Sequence, residues 1–200
     1  MSRRLRCNET ANMLPLAVIA LLFLFSVLSF AIDQGIAYVA KARQENALDA
    51  VRAACMDPAF ALYAKNVEDP GREVAELVVR TAREEGFAGC ATVWFYEAEE
   101  SLLPSSERLW GIGVQLEEDA PTVFARGFGV PSLPVASHKV MVAVPYASER
   151  AWRPEERRCG RYGAGAGSNG VSFVSMGSLD EYPAPLVEAL RSALPERQAA

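Results

Sequence analysis

The sequence predicts an α+β protein on a membrane anchor, in which a long N-terminal transmembrane helix continues into an exposed helix and is packed by a small antiparallel sheet. Three observations lead there. Met13–Ile32 carries no charge over twenty residues and consists mostly of Leu, Phe, Ile, Val and Ala. A polar, alanine-rich helical pattern follows without a break as far as Asp57–Pro58. Beyond it lie one helical stretch and then several short runs of β-branched and aromatic residues.

Residues 1–12 form a basic, cytoplasmic N-terminus with Arg3, Arg4 and Arg6 against Glu9. Residues 13–32 form the transmembrane helix, because twenty residues at ~1.5 Å each span a bilayer core of ~30 Å. Pro15 falls in the first turn, where a helix tolerates it. Ser26 and Ser29 can return their hydroxyls to the helix backbone. The arginine cluster favours an inside N-terminus and an outside C-terminal domain, so the chain is read as a single-pass protein of the cell membrane. Ser29–Phe30–Ala31 is a small-x-small triplet suited to signal peptidase, but the apolar run exceeds the usual ~7–15 residues of a signal core and the helical pattern continues through the cut.

Residues 33–56 continue the helix outside the bilayer. Ile36, Ala40, Ala47, Val51 and Ala54 form a small apolar stripe, with Lys41, Glu45, Asp49 and Arg52 on the other face. Residues 57–200 form an extracytoplasmic α+β domain. Asp69–Pro70 starts a helix that Gly86 ends. Strands are expected at Cys90–Tyr96, Leu109–Leu116, Thr122–Phe128, His138–Tyr146 and Val171–Met176, and a closing helix at Pro185–Leu194. In the second strand Trp110, Ile112, Val114 and Leu116 share a face; in the fourth, His138, Val140, Val142 and Val144 do.

Residues 33–200 hold 17 basic and 24 acidic side chains, which argues against a nucleic-acid partner. Cys7 lies on the cytoplasmic side, while Cys55, Cys90 and Cys159 lie where disulfides persist. Cys55 ends a helix and Cys90 opens a strand, so Cys55–Cys90 is a candidate disulfide, although spacing does not choose the pair.

Several polar landmarks flank the apolar run. Glu9 lies six positions before Pro15, which opens Leu16–Leu22; Asp33, Gly35 and Tyr38 follow the run, and then Gln44–Ala50 reads QENALDA. In this order and spacing, residues 3–55 resemble the N-terminal region of the TadE/TadG-like pseudopilins of tight-adherence (Flp-type) pili. The resemblance implies a pilin-like layout and a role in pilus assembly or as a minor subunit. It implies helix-packing or assembly roles for Glu9, Pro15, Asp33, Gly35, Ala47 and Ala50, and partners that are other pilus or membrane assembly subunits together with the lipid bilayer. Arg4 departs from the pattern: processed members carry a glycine there, before the leader cut, and its loss implies a permanent membrane component.

No motif announces catalysis, and the chain is read as a non-enzyme without cofactor or metal. His138 is the one histidine and has no nucleophile elbow with it. The acidic runs at 97–100 and 117–119 lack a calcium-loop pattern and read as solvated loop charges. Residues 147–170 gather Arg150, Arg153, Arg157, Arg158 and Arg161 with Trp152 and Tyr162, then a glycine-rich stretch without the Lys-Ser/Thr of a phosphate loop; they read as a mobile connection with contact potential. Two rivals follow: an anchored or secreted binding domain for a surface ligand using this loop, and an exported hydrolase dependent on His138.

Overall fold

The computed structural model describes residues 13–64, 67–98, 109–143 and 159–194. Its elements are α1 (Met13–Cys55), α2 (Pro58–Ala64), α3 (Pro70–Glu84), β1 (Cys90–Glu97), β2 (Trp110–Pro121), β3 (Ser132–Ala143), β4 (Gly160–Ala164), β5 (Ser172–Ser175) and α4 (Ala184–Ala193). The fold is α+β, with a long apolar N-terminal helix followed by a five-stranded antiparallel sheet in the order β3-β2-β1-β4-β5. The chain divides into two compact units, one holding the described residues up to Val39 with Ala120–Leu133, the other Ala40–Asp119 with the residues from Pro134 on.

The second unit is built around the sheet. Val93 pairs with Val114 on β2 and with Tyr162 on β4, and Phe95 pairs with Ile112. Because side chains alternate along a strand, these residues share one face. That face carries Ala91, Val93, Phe95, Trp110, Ile112, Val114, Leu116, Met141 and Tyr162, and it is covered by Ala47, Leu48 and Val51 of α1 and by Val74, Ala75, Val78, Val79 and Ala82 of α3. Each fully buried Val, Leu, Ile or Phe contributes ~1.5–3 kcal/mol of hydrophobic stabilisation. The opposite face is covered by α4: Leu186, Val187 and Leu190 pack with Tyr182 and Leu109, against Trp94, Tyr96, Val140 and Val142.

Two glycines of β2 make room for α4. A Cβ on Gly111 would stand 2.7 Å from Leu190, and one on Gly113 would stand 3.4 Å from Leu186. The alternation Trp-Gly-Ile-Gly thus gives β2 a bulky face toward α1 and α3 and a bare one toward α4. The Tyr182 hydroxyl donates to the Phe95 carbonyl at 3.1 Å, tying the segment before α4 to β1.

Helix boundaries follow local chemistry. Asp57 Oδ1 accepts the Ala59 and Phe60 N–H groups at 2.7 and 3.2 Å, so α2 starts afresh after α1 ends. Asp69 Oδ1 caps α3 by accepting the Arg72 N–H at 3.0 Å, and it also accepts the Tyr162 hydroxyl at 3.0 Å. At the other end Gly86 adopts φ +79°, while Phe87 N–H reaches the Ala82 carbonyl and Gly86 N–H the Arg83 carbonyl. This left-handed cap requires a residue without a Cβ.

Three sequence expectations are corrected. Thr122–Phe128 is not a strand: Pro121, Gly127, Gly129 and Pro131 break the pattern, and Ala125–Phe128 forms a short 3-10 turn. β3 begins earlier than His138, at Ser132, and residues 144–146 lie outside the described residues. Of the stretch 147–170, residues 147–158 lie outside the described residues, whereas Gly160–Ala164 is strand β4. The glycine-rich turn after it is fastened by Arg83, which donates to the carbonyls of Gly165 and Ser168 at 2.9 and 3.1 Å, and to those of Phe87 and Gly89, both at 2.9 Å.

Leu190→Ala is expected to cost ~2–5 kcal/mol, the range for emptying a packed core site. Gly111→Ala is expected to cost ~1–3 kcal/mol by forcing Leu190 out of its seat. Denaturant unfolding of the full-length chain in detergent measures both. An unchanged midpoint for Gly111→Ala would show that α4 does not dock on β2 as described.

Candidate functional site

The first unit buries a carboxylate, Asp33, at the end of an uncharged helical run. In α1, Met13 to Ile32 presents its large apolar side chains outward; Phe23 is 71% exposed and Leu24 65%. This is the one helix among the described residues long and apolar enough to cross a membrane. Pro15 stands in its first turn, as expected. The Ser26 hydroxyl donates to the Leu22 carbonyl at 2.9 Å and the Ser29 hydroxyl to Phe25 at 2.6 Å, so neither needs a partner outside the helix.

Asp33 is the first charge after this run, and it is 3% exposed. Its carboxylate accepts four hydrogen bonds from three consecutive backbone amides: Val123 at 2.7 Å and Ala125 at 2.7 Å, with Phe124 shared between both oxygens at 3.2 Å. Those amides open the 3-10 turn of Ala125–Phe128, where N–H groups lack backbone partners. Two further bonds close the loop, from Thr122 N–H to the Pro131 carbonyl at 3.1 Å and from the Thr122 hydroxyl to Val130. Burial pushes the Asp33 pKa up, but the amides of Ala125, Val123 and Phe124 together outweigh it, and the carboxyl titrates below its ordinary value.

The loop held this way is apolar and exposed. Phe128 is 88% exposed, Val123 60%, and Phe124 and Val130 both 42%. Gly35, one turn beyond Ile32, meets no atom within 4 Å of where its Cβ would be, and Tyr38 and Val39 are exposed beside it.

The other sequence-selected residues fall elsewhere. Glu9 lies outside the described residues. Ala47 is fully buried in the core of its own unit, so it has no surface to offer a partner, whereas Ala50 is partly exposed. Gln44 is also fully buried and donates from Nε2 to the Val135 carbonyl at 3.1 Å, which ties α1 to β3. Arg43 Nη2 donates to both carboxylate oxygens of Glu118 at 2.8 Å, and Lys139 pairs with Asp49. The acidic runs are therefore not merely solvated: Glu118 is paired, and Glu97 is buried at the end of β1. Tyr162 is a core residue rather than a contact on a loop, and Arg161 lies in β4. Arg150, Arg153, Arg157, Arg158 and Trp152 lie outside the described residues.

Cys55 and Cys90 are not joined. The reason is parity: β1 turns Ala91, Val93 and Phe95 to the core that holds Cys55, and Cys90 therefore points to the opposite, exposed side. Burial pushes the Cys55 thiol up to about 12. His138 is exposed on β3, beside Lys41, Glu45, Asp49 and Lys139 along a shallow groove. Among the described residues no group of three or more His, Cys, Asp or Glu side chains is placed to hold a metal ion.

Sequence reasoning marked Asp33 but not what it binds. The loop's signal was its punctuation, two prolines and two glycines around Val123–Val130, which marks a turn rather than a strand. Comparison with protein-family models, with curated proteins and with solved structures returned no match.

Asp33→Ala is expected to speed hydrogen exchange at the amides of Val123, Phe124 and Ala125 while leaving β1 and β2 protected. Because the folded Asp33 pKa is lowered, the tie is complete above the ordinary aspartate value of ~3.9 and is lost as pH falls through the lower folded value. Protection factors at these three amides, followed by NMR and corrected for the intrinsic pH dependence of exchange, should therefore stay constant from neutral pH to about pH 5. In thiol labelling of the folded chain at neutral pH, Cys90 should alkylate while Cys55 reacts only after unfolding.

Proposed function

We propose that the chain is a membrane-anchored, TadE-like pseudopilin that acts in assembly of a tight-adherence-type pilus or as one of its minor subunits. The observation that carries this reading is helix α1. Its early residues expose one apolar side chain after another, whereas Ala47, Leu48 and Val51 are buried in an α+β core. A single helix that serves both a bilayer and a folded domain suits a subunit gathered into a membrane assembly.

In this reading Arg3, Arg4 and Arg6 keep the N-terminus in the cytoplasm and the α+β domain lies outside. Partners are other pilus or membrane assembly subunits, and the acidic domain has no nucleic-acid role. Assembly is mechanical and draws on no cofactor. Ala47 cannot face a partner, so lateral packing falls to the exposed residues just past the apolar run. Gly35 has open space around it, Tyr38 is 75% exposed and Val39 67%. A bare glycine beside exposed apolar side chains lets a neighbouring helix approach closely.

The test is complementation of a deletion strain with Gly35→Leu and Tyr38→Glu variants. Both should accumulate as full-length protein at normal levels and leave the cells without sheared surface pili. Normal piliation with both variants would overturn the reading.

A further inference from the structure

We propose that the loop of residues 120–133 is a second membrane contact, which seats Val123, Phe124, Phe128 and Val130 in the headgroup–acyl boundary of the bilayer that α1 crosses. This rests on the anchoring of α1 described above.

Depth is the first argument. Asp33 immediately follows the uncharged run, so its backbone lies where the hydrocarbon core ends. The amides of Val123, Phe124 and Ala125 bind that same carboxylate at 2.7–3.2 Å, which holds the loop at the same level. Exposure is the second. Soluble surfaces seldom gather large exposed apolar side chains on one short loop, yet Phe128 is 88% exposed and Val123 60%. At the acyl boundary these side chains leave water, as the apolar face of an interfacial segment does.

Charge is the third. Residues 33–200 carry an excess of acid, but 120–133 contain no acidic residue and one cation, Arg126. A cation flanked by apolar side chains can reach lipid phosphate at headgroup level while its neighbours sit among the acyl chains. Fixation is the fourth. The Asp33 bonds, the Thr122 closure and the left-handed Gly129, at φ +86°, hold the loop before it meets lipid, so little ordering remains on contact.

The test uses the full-length protein with p-benzoylphenylalanine in place of Phe128, or separately in place of Phe23, reconstituted in vesicles of phosphatidylcholine and phosphatidylglycerol. After irradiation, mass spectrometry should find lipid adducts at both positions. Lipid adducts at Phe23 with none at Phe128 would overturn the loop proposal and leave the anchoring of α1 intact. A cross-linked dimer through position 128 would overturn it in favour of a second copy of the chain. Absence of lipid adducts at Phe23 would remove the anchoring itself, and the loop proposal with it.

Discussion

A carboxylate can leave water only where donors replace its hydration, and the first unit is organised by that constraint. Asp33 is the point at which an uncharged helix turns polar, and it is nevertheless buried. Its four hydrogen bonds come from a segment some ninety residues later in the chain. Charge-assisted bonds of this kind are among the stronger ones available to a backbone. They explain why a loop with Val123, Phe124 and Phe128 turned outward keeps a defined shape without a hydrophobic core of its own.

The second unit obeys a different constraint. Its sheet is covered on both faces, by α1 and α3 on one and by α4 on the other. β2 must therefore bury both faces, yet the two need different depths. Bulky Trp110, Ile112 and Val114 fill the space toward α1 and α3, while Gly111 and Gly113 admit Leu190 and Leu186. Arg83 fastens the glycine-rich turn through backbone carbonyls.

Local signals carried the sequence reading furthest where they were strongest. The helix from Met13, the cap at Asp69, the stop at Gly86 and the alternation of Trp110, Ile112, Val114 and Leu116 were all legible, because each is decided within a few residues. Long-range pairing was not. Asp33 reads as a landmark after the apolar run, with an assembly role implied by resemblance, and its tie to the amides of 123–125 shows only once the chain is folded; Tyr162 reads as a loop aromatic until β4 pairs with β1. The stripe containing Ala47 was visible, but periodicity cannot say whether a buried face meets its own sheet or another subunit. Likewise, Cys55 and Cys90 looked pairable until the strand's parity set Cys90 on the outer side.

In the proposed reading α1 stays in the membrane, while its later residues complete a folded core. The most direct measurement is the mature N-terminus of the protein in its own cells, read by mass spectrometry alongside membrane fractionation. The account predicts that the apolar run Met13–Ile32 is retained and that the protein stays with the membrane fraction. A chain beginning at Ile32 and found in the soluble fraction would contradict it.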